Sequence, residues 1–349
     1  MYLQVSDHRP PPENRLYDPA MKAPQALLLS VLTCLVFEGC TTSQSRPSNQ
    51  PASTEARLEA DVRALVYEYP GRSAWDREML NNAGLWVAKR FESMGYTVTL
   101  EPVPNADGSE SFNVIADLTG TAAPGKIVVI GAHYDAEVKT PGADDNASGV
   151  AVMLELAARF ANNPQPRTIR FIAFTNEENS NSTNTGMGSL TSARNSKENN
   201  ENIVAMLSLE MLGYYSDEPN SQTYPFPREM GTQLGMTLPT TGDFIAIVAR
   251  TNDTPLVTQL AQSMSLAGTI PNPLPIVAAP LPAQVTAIYR SDHANYWLHG
   301  YPAAMITDTS EYRNPHYHKM SDTPETLDFN RMAWVANSIE SAILDLSVE

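Results

Sequence analysis

Thiols are nearly missing from this chain. Its 349 residues include only two cysteines, Cys34 and Cys40, so neither a disulfide framework nor a thiolate metal cage can hold a domain downstream of them together. Charge is sparse as well: 18% of residues are Asp, Glu, Lys or Arg, and the 39 acids against 23 bases leave a formal net charge of -16. Binders of phosphate backbones rely on clustered Lys and Arg to release counterions, so no nucleic-acid partner is expected. Long apolar runs are lacking too. The best candidate, Ala26 to Phe37 behind Lys22, falls well short of the about 20 residues that cross a bilayer. What the chain does have is apolar content, 42% of its residues, enough at this length for a sizeable core.

The short apolar run fits the central region of a signal peptide. It ends in Glu38-Gly39-Cys40 and continues as a polar tract of Thr, Ser, Gln, Pro and Asn. That pattern resembles a bacterial lipoprotein signal, with Met21 as a start and Cys40 as the lipidated first mature residue. Residues 1–40 are then read as address, 41–55 as a flexible tether and 56–349 as a single domain. The expected placement is an exported protein that meets the membrane only through a lipid on Cys40, with plain secretion as the alternative.

From Glu55 onward the apolar spacing alternates between helical and strand periods. Helices are expected on both sides of Tyr69-Pro70-Gly71, at Gly149 to Phe160, Gly188 to Ser196, Pro255 to Ser265, around Asn295 to Leu298 and at Arg331 to Leu346. Strands are expected at Tyr96 to Leu100, Phe112 to Leu118, Lys126 to Ile130, Thr168 to Phe174, Ile203 to Leu209, Asp243 to Val248 and Ala303 to Thr307. Such alternation predicts an α/β layered domain with a largely parallel sheet. The proline-rich residues 268–283 read as an extended loop.

In α/β sheets, ligands collect beyond the carboxyl ends of the strands. The residues there share one chemistry: Gly131-Ala132-His133-Tyr134-Asp135, Asn176-Glu177-Glu178 and Glu210, with Asp144-Asp145 heading a helix and Tyr317-His318 near the end. Each piece alone has an ordinary reading, as a solvated histidine, a helix cap or a wet surface pair. Brought together, they would place several like charges in one cleft, a conflict that divalent cations resolve. Imidazole with carboxylate oxygen and no thiolate suits Zn²⁺, and also Mn²⁺ or Co²⁺, rather than Ca²⁺.

The ordered series Gly-Ala-His-Tyr-Asp, Gly-Ala-Asp-Asp-Asn-Ala-Ser-Gly, Asn-Glu-Glu, Leu-Glu-Met-Leu-Gly-Tyr, Ser291-Asp292-His293 and Tyr317-His318 followed by Asp322-Thr323-Pro324 resembles the M28 family of zinc metallopeptidases, which includes bacterial leucyl aminopeptidases. The resemblance runs from about residue 55 to the end. It implies a zinc-peptidase-like three-layer globule with a mixed, mainly parallel eight-stranded sheet, two zinc ions per chain and peptide substrates. It further implies His133 and Glu210 on one zinc, Glu178 and His318 on the other and Asp145 bridging both, often with a cis peptide just after it. Glu177 would be the general base, Asp135 would hold the His133 tautomer, and Tyr289 would be an oxyanion donor. His293 and Asp292 are read as structural support, and His316 as solvated or hydrogen-bonded. Three other readings stay open: a glutaminyl cyclase-like acyltransferase with a single zinc, a carboxypeptidase or aminoacylase, and a non-catalytic binding module with this fold. Residues 179–187 and 268–283 are expected to shape the mouth of the site.

Overall fold

Serine and aspartate caps set where the first and last helices begin. Ser53 accepts from the amide of Ala56 at the start of α1 (Thr54–Glu68), Asp76 from Met79 at the start of α2 (Arg77–Ser93), and Asp328 from Arg331 at the start of α8 (Phe329–Ser347). Each cap satisfies an amide that the helix itself leaves without a partner. On α1 the residues Leu58, Val62, Leu65 and Val66 make one buried stripe, as their helical spacing predicts. The computed structural model describes residues 52–105, 108–178, 186–266 and 273–348; the lipoprotein-like segment, Cys34 and Cys40 lie outside the described residues.

Eight strands form one mixed sheet in the order β1-β2-β4-β3-β5-β8-β6-β7. They are β1 (Val98–Pro104), β2 (Glu110–Leu118), β3 (Ala123–His133), β4 (Arg167–Phe174), β5 (Asn202–Glu210), β6 (Ile245–Arg250), β7 (Ile276–Leu281) and β8 (Ala303–Thr307). The remaining helices are α3 (Gly149–Phe160), α4 (Gly188–Glu198), α5 (Arg228–Gln233), α6 (Thr254–Leu266) and α7 (His293–Leu298). β1, β2 and β4 run antiparallel in turn, and β6 is antiparallel to β8. The middle of the sheet is parallel: β4 with β3, β3 with β5, and β5 with β8. The continuous run Val128, Val129 and Ile130 is wholly buried there, as a strand covered on both faces must be. The expected fold class is what the chain adopts.

One expectation is corrected. Residues 268–283 are not all loop, because Ile276 to Leu281 pair in register with Ile245 to Arg250 as β7, Pro280 included. β7 is the last strand of the sheet, and an edge strand tolerates a missing N–H on its open side. The prolines hid a strand whose alternation is otherwise clear: Val277, Ala279 and Leu281 are buried while the residues between them are partly exposed.

The four central strands point the same way, so their carboxyl ends lie along one margin of the sheet. His133 closes β3, Glu177 and Glu178 follow β4, Glu210 closes β5, and the chain after β8 runs on to His318. Topology alone thus gathers residues that are up to 185 positions apart in the sequence.

Candidate metal centre

Asp145 sits at the middle of the cluster, in the turn Ala143–Ser148 that leads into α3, and the peptide bond to Asn146 is cis. Its two oxygens face different partners. Oδ1 is 3.3 Å from His133 Nε2, which is also 3.5 Å from Glu210 Oε2. Oδ2 is 3.2 Å from His318 Nε2, which is 3.3 Å from Glu178 Oε2. Ligand atoms at about 2.0–2.2 Å from a tetrahedral zinc are separated from each other by about 3.4 Å. Both halves of the cluster have that spacing.

These side chains are not satisfied by one another. Both ring nitrogens of His133 and Oε1 of Glu178 are buried without a hydrogen-bond partner. Burial would lower the His133 pKa, but Glu210, Asp135 and Asp145 around the ring raise it well above its usual value. His318 follows the same pattern: burial opposes the proton, and Asp145 and Glu178 together push the pKa up to about 10. Burial drives Glu177 well above the carboxylate range and lifts Glu178 to about 8, with Asp145 adding to the latter. Inward-facing imidazoles that attract a proton, beside buried glutamates that resist losing one, are what a cation site looks like before the charge is counted in. The donor set fits two divalent ions, one held by His133, Asp145 and Glu210 and the other by Asp145, Glu178 and His318.

The surroundings fix each donor. Asp135 accepts the amides of Glu177 and Glu178 at 3.1 Å each, and its Oδ1 lies 3.4 Å from His133 Nδ1. One buried carboxylate therefore locks the β4 turn and faces the ring of the β3 histidine. Ser291 donates to Glu210 Oε2 at 2.8 Å. Asp322 accepts the amides of Asp144 and Asp145 at 2.9 and 3.2 Å. Asp144 points away from the cluster, accepting from the Gly213 amide and the Asn314 side chain. Asn146 ties the turn to the end of β5 by donating to the Leu209 carbonyl and accepting from the Met211 amide. Gly149 follows because there is no room for a side chain: a Cβ would stand 2.5 Å from the Leu209 carbonyl oxygen.

Two contributors carry no motif signal. Arg72, fully buried in the turn between α1 and α2, donates to the carbonyls of Tyr134, Leu65, Pro141 and Gly142. It thereby joins the residue after His133 to the approach to Asp145. Glu137 lies with Glu178 and His318 in a second group of donors within 4.8 Å of one another.

The other candidates fall into place. His293 is buried, bonded through Nε2 to the Ile288 carbonyl and packed edge-on to Trp297, and burial lowers its pKa to about 4. His316 bonds Ser321. Tyr289 is 43% exposed, its ring edge-on to Trp297. The cluster opens into a cavity of about 600 Å³ that Tyr289 also lines. One face of the sheet floors it, with Ala246 and Val248 of β6, Val277, Ala279 and Leu281 of β7, and Met305 of β8. Of the two segments expected at the mouth, residues 179–185 and 267–272 lie outside the described residues.

A sequence model of Peptidase family M28 matches residues 113–343. The chain belongs to peptidase family M28. A relative in Escherichia coli (strain K12), the uncharacterised protein YfbL, is 36% identical over 302 residues, which span 84% of this chain and 88% of that protein. Among solved structures, BSAP, a zinc aminopeptidase from Bacillus subtilis, shares the fold with a TM-score of 0.64 at 14% identity, over 84% of this chain and 95% of that one. A glutaminyl cyclase from Fimbriiglobus ruber does so with a TM-score of 0.59 at 18% identity, over 86% and 99%. At these identities the likeness is one of fold, so within the M28 chains the reaction must be argued from the site.

Proposed function

We propose that this M28 peptidase is an aminopeptidase with two zinc ions, releasing N-terminal residues from peptides. The observation that carries the reading is Asp145, whose two oxygens face two separate histidines, each histidine in turn close to its own glutamate, at the spacing expected between ligands of a tetrahedral site. Metals bound there would supply a water of near-neutral pKa and polarise the substrate carbonyl. The chain's own residues supply the rest. Glu177 is not part of either ligand trio; it lines the cavity beside them, and burial raises its affinity for a proton while divalent ions beside it would keep the carboxylate ionised until one is delivered. That suits a group which takes a proton from the attacking water and returns it to the leaving amine. Asp135 holds the Glu177 amide, so the base is aimed by a buried carboxylate rather than left on a mobile loop. Tyr289 stands on the cavity wall as the candidate donor to the carbonyl oxygen. The apolar floor of β6, β7 and β8 favours a large apolar N-terminal side chain.

A single-zinc glutaminyl cyclase shares the fold, but it needs one ligand trio where this chain presents two. A panel of aminoacyl p-nitroanilides with and without a chelator, run beside a peptide beginning with Gln, separates the readings. Hydrolysis of apolar substrates that is lost with chelator supports the proposal. Cyclisation of the Gln peptide without hydrolysis, or turnover of blocked N-termini at the same rate, would sink it.

Export with a lipid on Cys40 is a further part of the proposal. No helix among the described residues is long and apolar enough to cross a membrane, so a lipid would be the means of attachment that the sequence offers. Mass spectrometry of the membrane fraction tests it: a diacylated N-terminal Cys40 is expected, and an unmodified mature terminus elsewhere would refute it.

A further inference from the structure

We propose that Glu137 receives the α-ammonium group of the substrate. This rests on the aminopeptidase reading and adds to it the residue that recognises a free N-terminus.

The first argument is charge. Asp145, Glu177, Glu178 and Glu210 are four carboxyl groups that line the cavity where the proposed ions would sit. Glu137 lines the same cavity and is a fifth. Its side chain has no hydrogen bond or ion pair among the described residues. The guanidinium that reaches this cavity, Arg290, is already committed to Glu311 and to the Tyr317 hydroxyl. No Lys or Arg among the residues lining the cavity is therefore left to pair with Glu137, and an N-terminal ammonium carries the positive charge that would. A carboxylate and an ammonium removed from bulk water attract strongly, and the same carboxylate repels a substrate ending in another acid.

The second argument is position. His318 already has Asp145 and Glu178 at metal-like spacing, 3.2 and 3.3 Å, so that trio is complete without a further oxygen. Glu137 has an oxygen within 4.8 Å of donor atoms on both Glu178 and His318, and all three line the cavity. An ammonium nitrogen with hydrogen bonds of about 2.8 Å can be shared by two oxygens up to about 4.6 Å apart. At about that separation one amine could lie between Glu137 and Glu178 in the cavity that both line. The backbone holds Glu137 for this: its carbonyl accepts both the amide and the hydroxyl of Thr140, in the tight turn that follows β3.

The experiment uses the zinc-loaded full chain, leucine p-nitroanilide and its des-amino analogue, 4-methylpentanoyl p-nitroanilide. Glu137→Gln should lower kcat/KM on the leucine substrate about 10- to 100-fold, the range of a charge-assisted hydrogen bond, chiefly through KM. It should leave turnover of the des-amino compound within about 2-fold and retain two zinc ions per chain, with Glu137→Asp intermediate. Where des-amino turnover is too slow to read, the inhibition constant of L-leucinol should rise by the same factor while that of 4-methylpentan-1-ol does not. An unchanged ratio between amine and des-amino compounds overturns the role of Glu137 alone. Loss of one zinc in Glu137→Gln overturns it too, making the residue a metal ligand. A wild-type protein indifferent to the amine overturns the aminopeptidase reading and this role together.

Discussion

Replacing Arg72 with methionine removes a guanidinium but keeps most of the volume, and the structure sets what should follow. Arg72 is fully buried and donates at 2.9, 2.8 and 2.6 Å to the carbonyls of Tyr134, Pro141 and Gly142, and at 3.3 Å to Leu65. Among the described residues no carboxylate forms an ion pair with it. Burial lowers its pKa to about 10, so it stays charged at neutral pH. Hydrogen bonds from a charged donor contribute about 1.5–3 kcal/mol each, partly offset by several kcal/mol for taking the ion out of water. Methionine leaves the carbonyls buried and unmatched, and the net cost is about 3–5 kcal/mol. In a domain of this size that is a fall in Tm on the order of 10 °C. The site should suffer separately. Tyr134 follows His133, and Gly142 precedes the Asp144-Asp145 pair, so the two ends of the clamp lead to two residues proposed to share one metal. Losing it should weaken zinc binding about 10- to 100-fold, the usual effect of removing a group that orients metal ligands. Thermal unfolding of the zinc-loaded and chelated proteins reads the first effect, and competition with a chromophoric chelator reads the second. An Arg72→Met protein with wild-type Tm and wild-type zinc affinity would refute this account of the clamp.

Asp322→Asn should act on the metals more than on the fold. The amide group cannot accept from both the Asp144 and Asp145 amides as the carboxylate does, so the same chelator competition should show weaker binding with little change in Tm; unchanged affinity would contradict it. His293 sets an acid limit on stability. Its folded pKa of about 4 lies below the unfolded value, so above about pH 6.5 the ring is neutral in both states. As pH falls toward 4, the unfolded chain gains a proton that the folded one refuses, and stability drops by about 3 kcal/mol. Urea midpoints at pH 7 and 4.5 should show this loss in the wild type and less of it in His293→Gln; equal slopes would exclude His293 as the cause.

The sheet, and the acids and histidines that gather at its strand ends, are legible because their signals are local. A continuous run such as Val128 to Ile130 announces a buried strand, and the acids and histidines at strand ends stand out once the strands are placed. β7 was not legible because its prolines suppress the strand signal, and only its place at the sheet edge makes them harmless. Arg72 follows Pro70-Gly71 and reads as a solvated turn, since nothing in the sequence reveals that four carbonyls converge on it. Glu137 is silent in the sequence for a related reason. A glutamate in a loop is ordinary until His318, from the other end of the domain, is folded up beside it.

The central claim is a pair of metals bridged by Asp145 in an M28 peptidase fold, and anomalous diffraction at the zinc edge from crystals of the zinc-loaded protein tests it most directly. The account predicts two peaks about 3.5–4 Å apart, one beside His133 and Glu210 and the other beside Glu178 and His318, with Asp145 between them. A single peak in fully loaded protein, or two peaks that persist in Asp145→Ala, would contradict it.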